Sequence, residues 1–360
     1  MPSTDTARNT RRRRRRRPDE PSPWQPLAVA IVLLTIFGVL LAAGGVAGWW
    51  DPAANEPAIG NLSRWCERVS GGVIREPVNT AGNLAFVVAG LAMMAVLARD
   101  TGRDRPRRNP FIGNQPIALL YAAAAIFLGP GSMLMHASHT FFGAWFDNLS
   151  MVAYIMVPVL YNFALLGRWR ARWFAAAYLG TVALYGLGYW VLGPDLGINF
   201  ELFTVAIPLW LISESLVRFP SPQFRWYSGL VGFGIALLFG VFPWTIVLNL
   251  DEYWWVILFW LPALITRGPV PVRRTYTPWF WLGLASFLAA FYIWNLGQPG
   301  TFFCQPDSLI QGHAIWHALS ALATWCFFMF LRTQRFDPGL AEQPSAVEEP
   351  VEPVGSPADE

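Results

Sequence analysis

The amino-acid sequence predicts an all-α, polytopic transmembrane helix bundle, and three observations predict it. Of 360 residues, 54% are hydrophobic and only 14% charged, with a mean hydropathy of +0.37, a balance that leaves too little polar surface to enclose a water-soluble core. Apolar stretches long enough to cross about 30 Å of hydrocarbon recur with short polar interruptions. The arginines fall in alternate interruptions, as membrane orientation requires. The composition, with 19 Trp but only four His and three Cys, excludes disulfide-rich and disordered classes and leaves few side chains for metal or redox chemistry.

The ends read as soluble tails. Residues 1–22 contain the run Arg11 to Arg17, and residues 336–360 are rich in Pro, Glu, Ala and Ser, so neither buries enough apolar surface to fold. All 26 basic residues are Arg, which looks like codon bias. The run is read as a cytoplasmic anchor, and no nucleic-acid partner is expected. Residues 23–50 hold the first span, 25–49, whose apolar stretch is longer than a signal-peptide core and shows no small-residue cleavage site. Further spans are read at 78–98, 116–137, 146–167, 173–192, 199–217, 227–249, 252–266, 278–296 and 311–331. The stretch 252–266 is short, and reads either as a span or as half of a re-entrant pair with 227–249. Removing both leaves the parity unchanged.

Orientation follows from arginine placement. Arg99, Arg103, Arg105, Arg107 and Arg108 share one loop. Arg168, Arg170 and Arg172, then Arg218 and Arg225, then Arg267, Arg273 and Arg274, then Arg332 and Arg335 all fall on the side of the N-terminal run. The other side has only Arg64, Arg68 and Arg75. Both termini are therefore expected in the cytoplasm, in a bacterial-type cell membrane, with loops 50–77, 138–145, 193–198 and 297–310 facing outward.

Ionisable residues at membrane depth are costly and by default mark a site. All four histidines lie in two short pieces, His136 and His139 in one, His313 and His317 in the other. His313 and His317 are i and i+4 on one helix, so both imidazoles leave the same face one turn apart, a spacing that suits two ligands of one metal ion. The span 116–137 runs outward to His136, the next begins just before Asp147, and the last begins just before His313. These groups therefore share the outer end of the bundle. Ser132, four residues before His136, lies on the same helix face. Three imidazoles and an open fourth position form the pattern of a hydrolytic zinc site. The bland readings are that Asp147 is a helix-start acid and that Ser132 covers a backbone carbonyl. His139 reads as a loop residue outside the site.

Other histidine chemistries fit less well. A zincin needs HExxH, whereas this chain has HAIWH. A membrane di-iron desaturase would need about twice as many histidines, and a bis-histidine haem is clamped from opposed helices rather than from one helix face.

The string GPGSMLMHAS, with Asp147 fifteen residues after Ser132, then QGHAIWHALSA, resembles the alkaline ceramidase group of the CREST superfamily, which also contains the adiponectin and progestin receptors. The segment RWCERVSGGVIREPVNTAGNLAF is similar to that group's WCE motif and the Glu, Asn and Asn-Leu that follow it. The resemblance covers about residues 61–331. It implies a seven-helix CREST core, so that residues 23–50 become an extra N-terminal span and the stretch 173–296 holds two more spans than the family has. It implies zinc held by His136, His313 and His317, with Ser132 and Asp147 completing the site.

It also implies a calcium site, onto which Trp65, Glu67 and Glu76 map. Here Arg64 stands where an acidic ligand is expected and the Glu67 to Glu76 spacing is shortened. Calcium is therefore doubtful, and the two carboxylates would instead pair with Arg64, Arg68 or Arg75. The family has a cysteine pair matching Cys66 and Cys304, both in loops placed outside, so a disulfide is expected there against the alternative of two free thiols.

The activity implied is zinc-assisted hydrolysis of a ceramide-like lipid amide, with Asp147 as base and Ser132 as oxyanion donor. Another N-acyl lipid or an ester fits the same residues. Two alternatives come from other classes: a receptor-like or lipid-sensing relative with little turnover, and a transporter using Asp147 and Glu214 on an ion pathway, although no broken helix pair in matching halves points to one. No protein partner follows from the sequence.

Overall fold

A computed structural model of the chain describes residues 21–50, 59–101 and 109–337. The arginine run, Arg103, Arg105, Arg107 and Arg108, and most of both tails lie outside the described residues. The chain is an all-α integral membrane protein, and among the described residues seven helices are long and apolar enough to cross a bilayer.

Helix α1 (Gln25–Val46) lies outside the bundle against α3 (Leu84–Thr101) and α4 (Pro116–Ser138), most of its surface exposed as a lipid-facing helix should be. A short α2 (Pro77–Gly82) leads into α3, and together they make one apolar span, Pro77–Thr101. The best-buried helix is α5 (Phe141–Leu166). It begins five residues earlier than the hydropathy suggests, because the Thr140 hydroxyl caps it by accepting from the Gly143 N–H at 3.0 Å. Helix α6 (Ala171–Leu192) packs on α5, as does α7 (Leu202–Arg218). With 17 residues, α7 rises only about 25 Å. The last two spans, α11 (Trp279–Leu296) and α12 (Gly312–Leu331), pack on each other, and α12 also meets α2, α3 and α4.

The stretch 227–266, read above as two spans or as a re-entrant pair, is built from shorter pieces. Helix α8 (Pro222–Leu238) starts early, because Ser221 accepts from the Phe224 N–H at 3.0 Å and Pro222 suits the first turn. It stops at Leu238, ahead of Gly240, whose φ of 80° is left-handed. The expected span 252–266 divides into a 3-10 helix, Trp254–Trp260, and the five-residue α10 (Leu261–Ile265), after a short α9 (Pro243–Leu248). A run of 15 residues that changes helix type midway cannot satisfy its backbone across a bilayer alone. It lies instead against α7 and α8.

Close helix approach sets the site end of the bundle. A Cβ on Gly131 would stand 2.6 Å from Ser150 Cβ, and one on Gly82 would stand 2.9 Å from Ala314 Cα. Only glycine lets α4 meet α5 and α2 meet α12 at these points.

The other end is locked by polar groups. Arg274, in the loop before α11, contacts Glu214 of α7, gives Nη1 to Asn162 Oδ1 of α5 at 2.9 Å, and gives Nε to Gln334 Oε1 beyond α12 at 3.0 Å. The Tyr276 hydroxyl donates to Glu214 at 2.7 Å. Strand β1 (Val272–Arg273) pairs antiparallel with β2 (Arg335–Phe336), so residues 336 and 337, assigned above to the tail, belong to the folded unit. Glu214 reaches Asn162, while Asp147 lies fifteen residues earlier on the same helix, about 22 Å away along its axis. The two acids of the transporter reading therefore occupy opposite ends of the bundle.

Because both charges of the Glu214–Arg274 pair are buried, Glu214→Ala or Arg274→Ala alone is expected to destabilise the fold by about 3–5 kcal/mol. The double replacement Glu214→Leu with Arg274→Met should restore most of that. Unfolding of the variants in detergent checks it; single variants as stable as the parent would show that the pair carries no such constraint.

Candidate metal centre

The site forms where the end of α4 meets the start of α12. Helical periodicity places Ser132 and His136 on one face of α4, and His313 and His317 on one face of α12. All four are buried. His136 Nε2 lies 3.1 Å from His313 Nε2 and 3.3 Å from His317 Nε2. These are the edge lengths of a small coordination polyhedron whose metal–nitrogen bonds are about 2.0–2.1 Å. A group of three such ligand atoms, all within 4.8 Å of one another, can hold one metal ion.

The orientation of His136 is fixed from behind. Its Nδ1 meets Glu76 Oε2 at 2.8 Å, so Nδ1 carries the proton and Nε2 presents a lone pair to the other two imidazoles. Three imidazole nitrogens facing one another cannot all be satisfied as donors, and a cation among them resolves the conflict. The donor set therefore fits a metal.

Glu76 is itself held firmly. Its Oε2 also accepts from Asn79 Nδ2 at 2.7 Å, and its Oε1 meets His139 Nε2 at 2.5 Å. Burial works against ionisation of this carboxyl, but the hydrogen bonds from His136, His139 and Asn79 outweigh it and hold the pKa at about 2. His139, expected to be a mere loop residue, thus closes a chain from the end of α4 through Glu76 back to His136. It adopts the left-handed conformation, φ 53°, as the cap of α4. The signal that might have found it was the pairing of His136 with His139 in one short segment. Spacing of three residues across a helix end says nothing about a shared carboxylate.

The remaining expected residues have distinct surroundings. The Glu67 carboxylate accepts the backbone N–H of Val78 and of Asn79, each at 2.7 Å, capping α2. Burial raises its pKa, and these two donors offset part of the rise. The ring of Trp65 stands 4.8 Å from that of His136 and 5.3 Å from that of His313. Arg64 lies over the Trp65 ring, and Arg68 pairs with Asp307. Glu67 and Glu76 thus spend their oxygens on backbone, amide and imidazole donors, where arginine partners were the expected alternative to calcium. Asp147, partly buried near the start of α5, interacts with the Ser132 hydroxyl and feels the charge of His136. Structure therefore brings Ser132, His136, Asp147, His313, His317 and Trp65 together, with Glu76 directly behind.

Cys66 and Cys304 are bonded, tying the segment before α2 to the loop before α12 across 238 residues of sequence. Backbone contacts reinforce the tie: Arg68 N–H donates to Pro306 O at 3.1 Å, and Glu76 N–H to His136 O at 3.1 Å.

The sequence matches the family model described as Ceramidase over residues 62–343. No curated protein matches the chain.

His313→Ala and His317→Ala are each expected to lose bound metal, as read by elemental analysis of protein purified without added metal. Glu76→Gln should keep the fold but weaken metal affinity by about 10–100-fold, the usual cost of removing a carboxylate behind a ligating histidine. Chelator competition measures this, and an unchanged affinity would separate Glu76 from the centre.

Proposed function

Since the chain belongs to the ceramidase family, we propose that it is a zinc-dependent amidohydrolase that splits a lipid amide of ceramide type into a fatty acid and an amine. The observation that carries this reading is the set of three mutually facing, buried imidazoles beside a serine and an aspartate supplied by two adjoining helices. His136, His313 and His317 would hold the ion. Zinc bound there would polarise the amide carbonyl and make water more acidic.

This chain's own residues do the rest. Asp147 accepts the proton of the attacking water as the new carbon–oxygen bond forms, then returns it to the amine nitrogen as the carbon–nitrogen bond breaks. Ser132 donates its hydroxyl hydrogen to the oxyanion that develops on the carbonyl oxygen. Glu76, backed by His139 and Asn79, keeps the His136 ring from turning. We assign Glu67 and Glu76 to helix capping and imidazole orientation rather than to calcium, since their oxygens already accept N–H donors.

Two features support a site at headgroup depth, where the amide of a ceramide-like lipid lies. The exposed aromatics Phe141, Phe142 and Trp190 surround this end of α5 and α6, as in an interfacial belt. The loop before α12 exposes Phe302, Phe303, Leu309 and Ile310, a hydrophobic edge suited to sit among lipids. With both termini in the cytoplasm, as the arginines argue, this end faces outward from a bacterial-type membrane.

Fatty-acid release from a panel of N-acyl lipids by the purified protein, with and without chelator, tests the reading. Asp147→Asn should retain metal and lower turnover by about a hundredfold to ten-thousandfold, and Ser132→Ala should retain metal and slow the reaction. Wild-type turnover in Asp147→Asn, with chemistry limiting, would remove the base. No chelator-sensitive release from any lipid would favour the receptor-like alternative.

A further inference from the structure

One charged group beside the centre has no task in the mechanism above. Arg64 lies in the segment before α2, and its guanidinium carbon stands 4.9 Å from the centroid of the Trp65 ring. That ring packs directly on His136 and His313. Arg64 is thus joined through a single ring to the imidazoles of α4 and α12. The exposed guanidinium therefore lies against the same Trp65 ring that packs on the triad.

Its charge is also uncommitted. Arg64 is exposed and rests on the Trp65 ring, and among the described residues no hydrogen bond or ion pair engages it. The nearby acids are occupied elsewhere: Asp307 by Arg68, Glu67 by backbone N–H groups, and Glu76 by His136, His139 and Asn79. A guanidinium resting on an aromatic face keeps its N–H edge free and pre-aimed, the arrangement best suited to bidentate recognition of an oxyanion. Only the Trp65 ring separates it from the imidazoles, which matches the few bonds between an amide and a carboxylate or phosphate on the same headgroup.

We propose that Arg64 binds an anionic group, a carboxylate or a phosphate, carried within a few bonds of the scissile amide, so that the chain prefers a negatively charged N-acyl lipid to a neutral one. The proposal rests on the amidohydrolase reading for the word scissile; the binding preference does not.

The test uses the full chain in maltoside micelles free of phospholipid. The probes share one acyl chain: an N-acyl glycine bears the carboxylate, a ceramide 1-phosphate bears the phosphate, and a ceramide and an N-acyl ethanolamine are neutral. At least one anionic probe should bind about tenfold or more tightly than its neutral partner, the scale of one charge-assisted contact. Arg64→Gln should erase that preference, Arg64→Lys should keep part of it, and Arg64→Glu should reverse it. Melting temperature and metal content, unchanged in an exposed-site variant, show that folding is intact.

The arm that responds tells carboxylate from phosphate. Equal binding of charged and neutral probes by wild type, a preference that survives Arg64→Gln, or inorganic phosphate competing as well as the anionic lipid would each overturn the proposal. Turnover of the same probes is read separately. An Arg64-dependent binding preference without hydrolysis of any probe leaves Arg64 assigned and sinks the amidohydrolase reading. Hydrolysis without charge preference does the reverse.

Discussion

Two faces of one imidazole hold the working end of this molecule together. His136 is fully buried; its Nδ1 is bound to Glu76, and its Nε2 faces His313 and His317. Through Glu76 it is joined to α2 and to the loop that begins α5, and through the triad to α12. Nothing less than a rigid bundle keeps three nitrogens within 4.8 Å of one another in a low-dielectric interior, where unpaired polar groups are expensive. The small residues at Gly82 and Gly131, the disulfide from Cys66 to Cys304 and the backbone bond from Glu76 N–H to His136 O all serve that rigidity. Each brings a further element to the same few ångströms.

The polar groups of the bundle are divided between its two ends. The histidine end has a half-buried aspartate and an exposed guanidinium that is unpaired among the described residues. The far end has the buried set of Arg274, Glu214, Asn162 and Gln334, in which the two charges face each other and Arg274 Nε and Nη1 also reach the amides of Gln334 and Asn162. Between them the core is largely apolar, with α4 and α5 meeting through alanines, aromatics and branched side chains and through the Tyr121–Tyr154 hydroxyl pair at 2.6 Å. A closed polar cluster fixes how helices sit, whereas an open one with spare donors and acceptors can receive a ligand. The contrast between the ends is what distinguishes scaffold from site here.

Helix α1 and the elements from α8 to α10 lie apart from the site. Helix α1 rides on the lipid side of α3 and α4, tied at its start by Asn114 Nδ2 donating to Pro23 O at 2.8 Å and at its end by Trp50 Nε1 donating to Val73 O at 3.1 Å. Helix α8 and the broken stretch after it rest on α7. Neither α1 nor this stretch supplies a residue to the triad or to Asp147 and Ser132. Their surfaces are apolar and largely exposed, as segments that face lipid must be.

Composition and spacing alone determined the all-α membrane fold and singled out the histidine set with Ser132 and Asp147, though they read ten spans where seven long apolar helices are found among the described residues. They could do so because hydrocarbon thickness fixes span length, helix periodicity fixes which residues share a face, and chain direction fixes which helix ends meet. The likeness of three motifs to a known family supplied the cysteine pair. Tertiary structure decided what depends on distance between separate segments. It gave Glu76 to His136 and His139, Glu67 to the start of α2, and left Arg64 unpaired over Trp65, where sequence suggested only that carboxylates and arginines lay near one another. It also built the stretch 252–266, which hydropathy left open between a span and half of a re-entrant pair, as a 3-10 helix with a short α-helix, since hydropathy registers how apolar a segment is but not whether its backbone hydrogen bonds can run unbroken. A carboxylate's partner is set by geometry within about 3 Å, and no periodicity along a single chain encodes that.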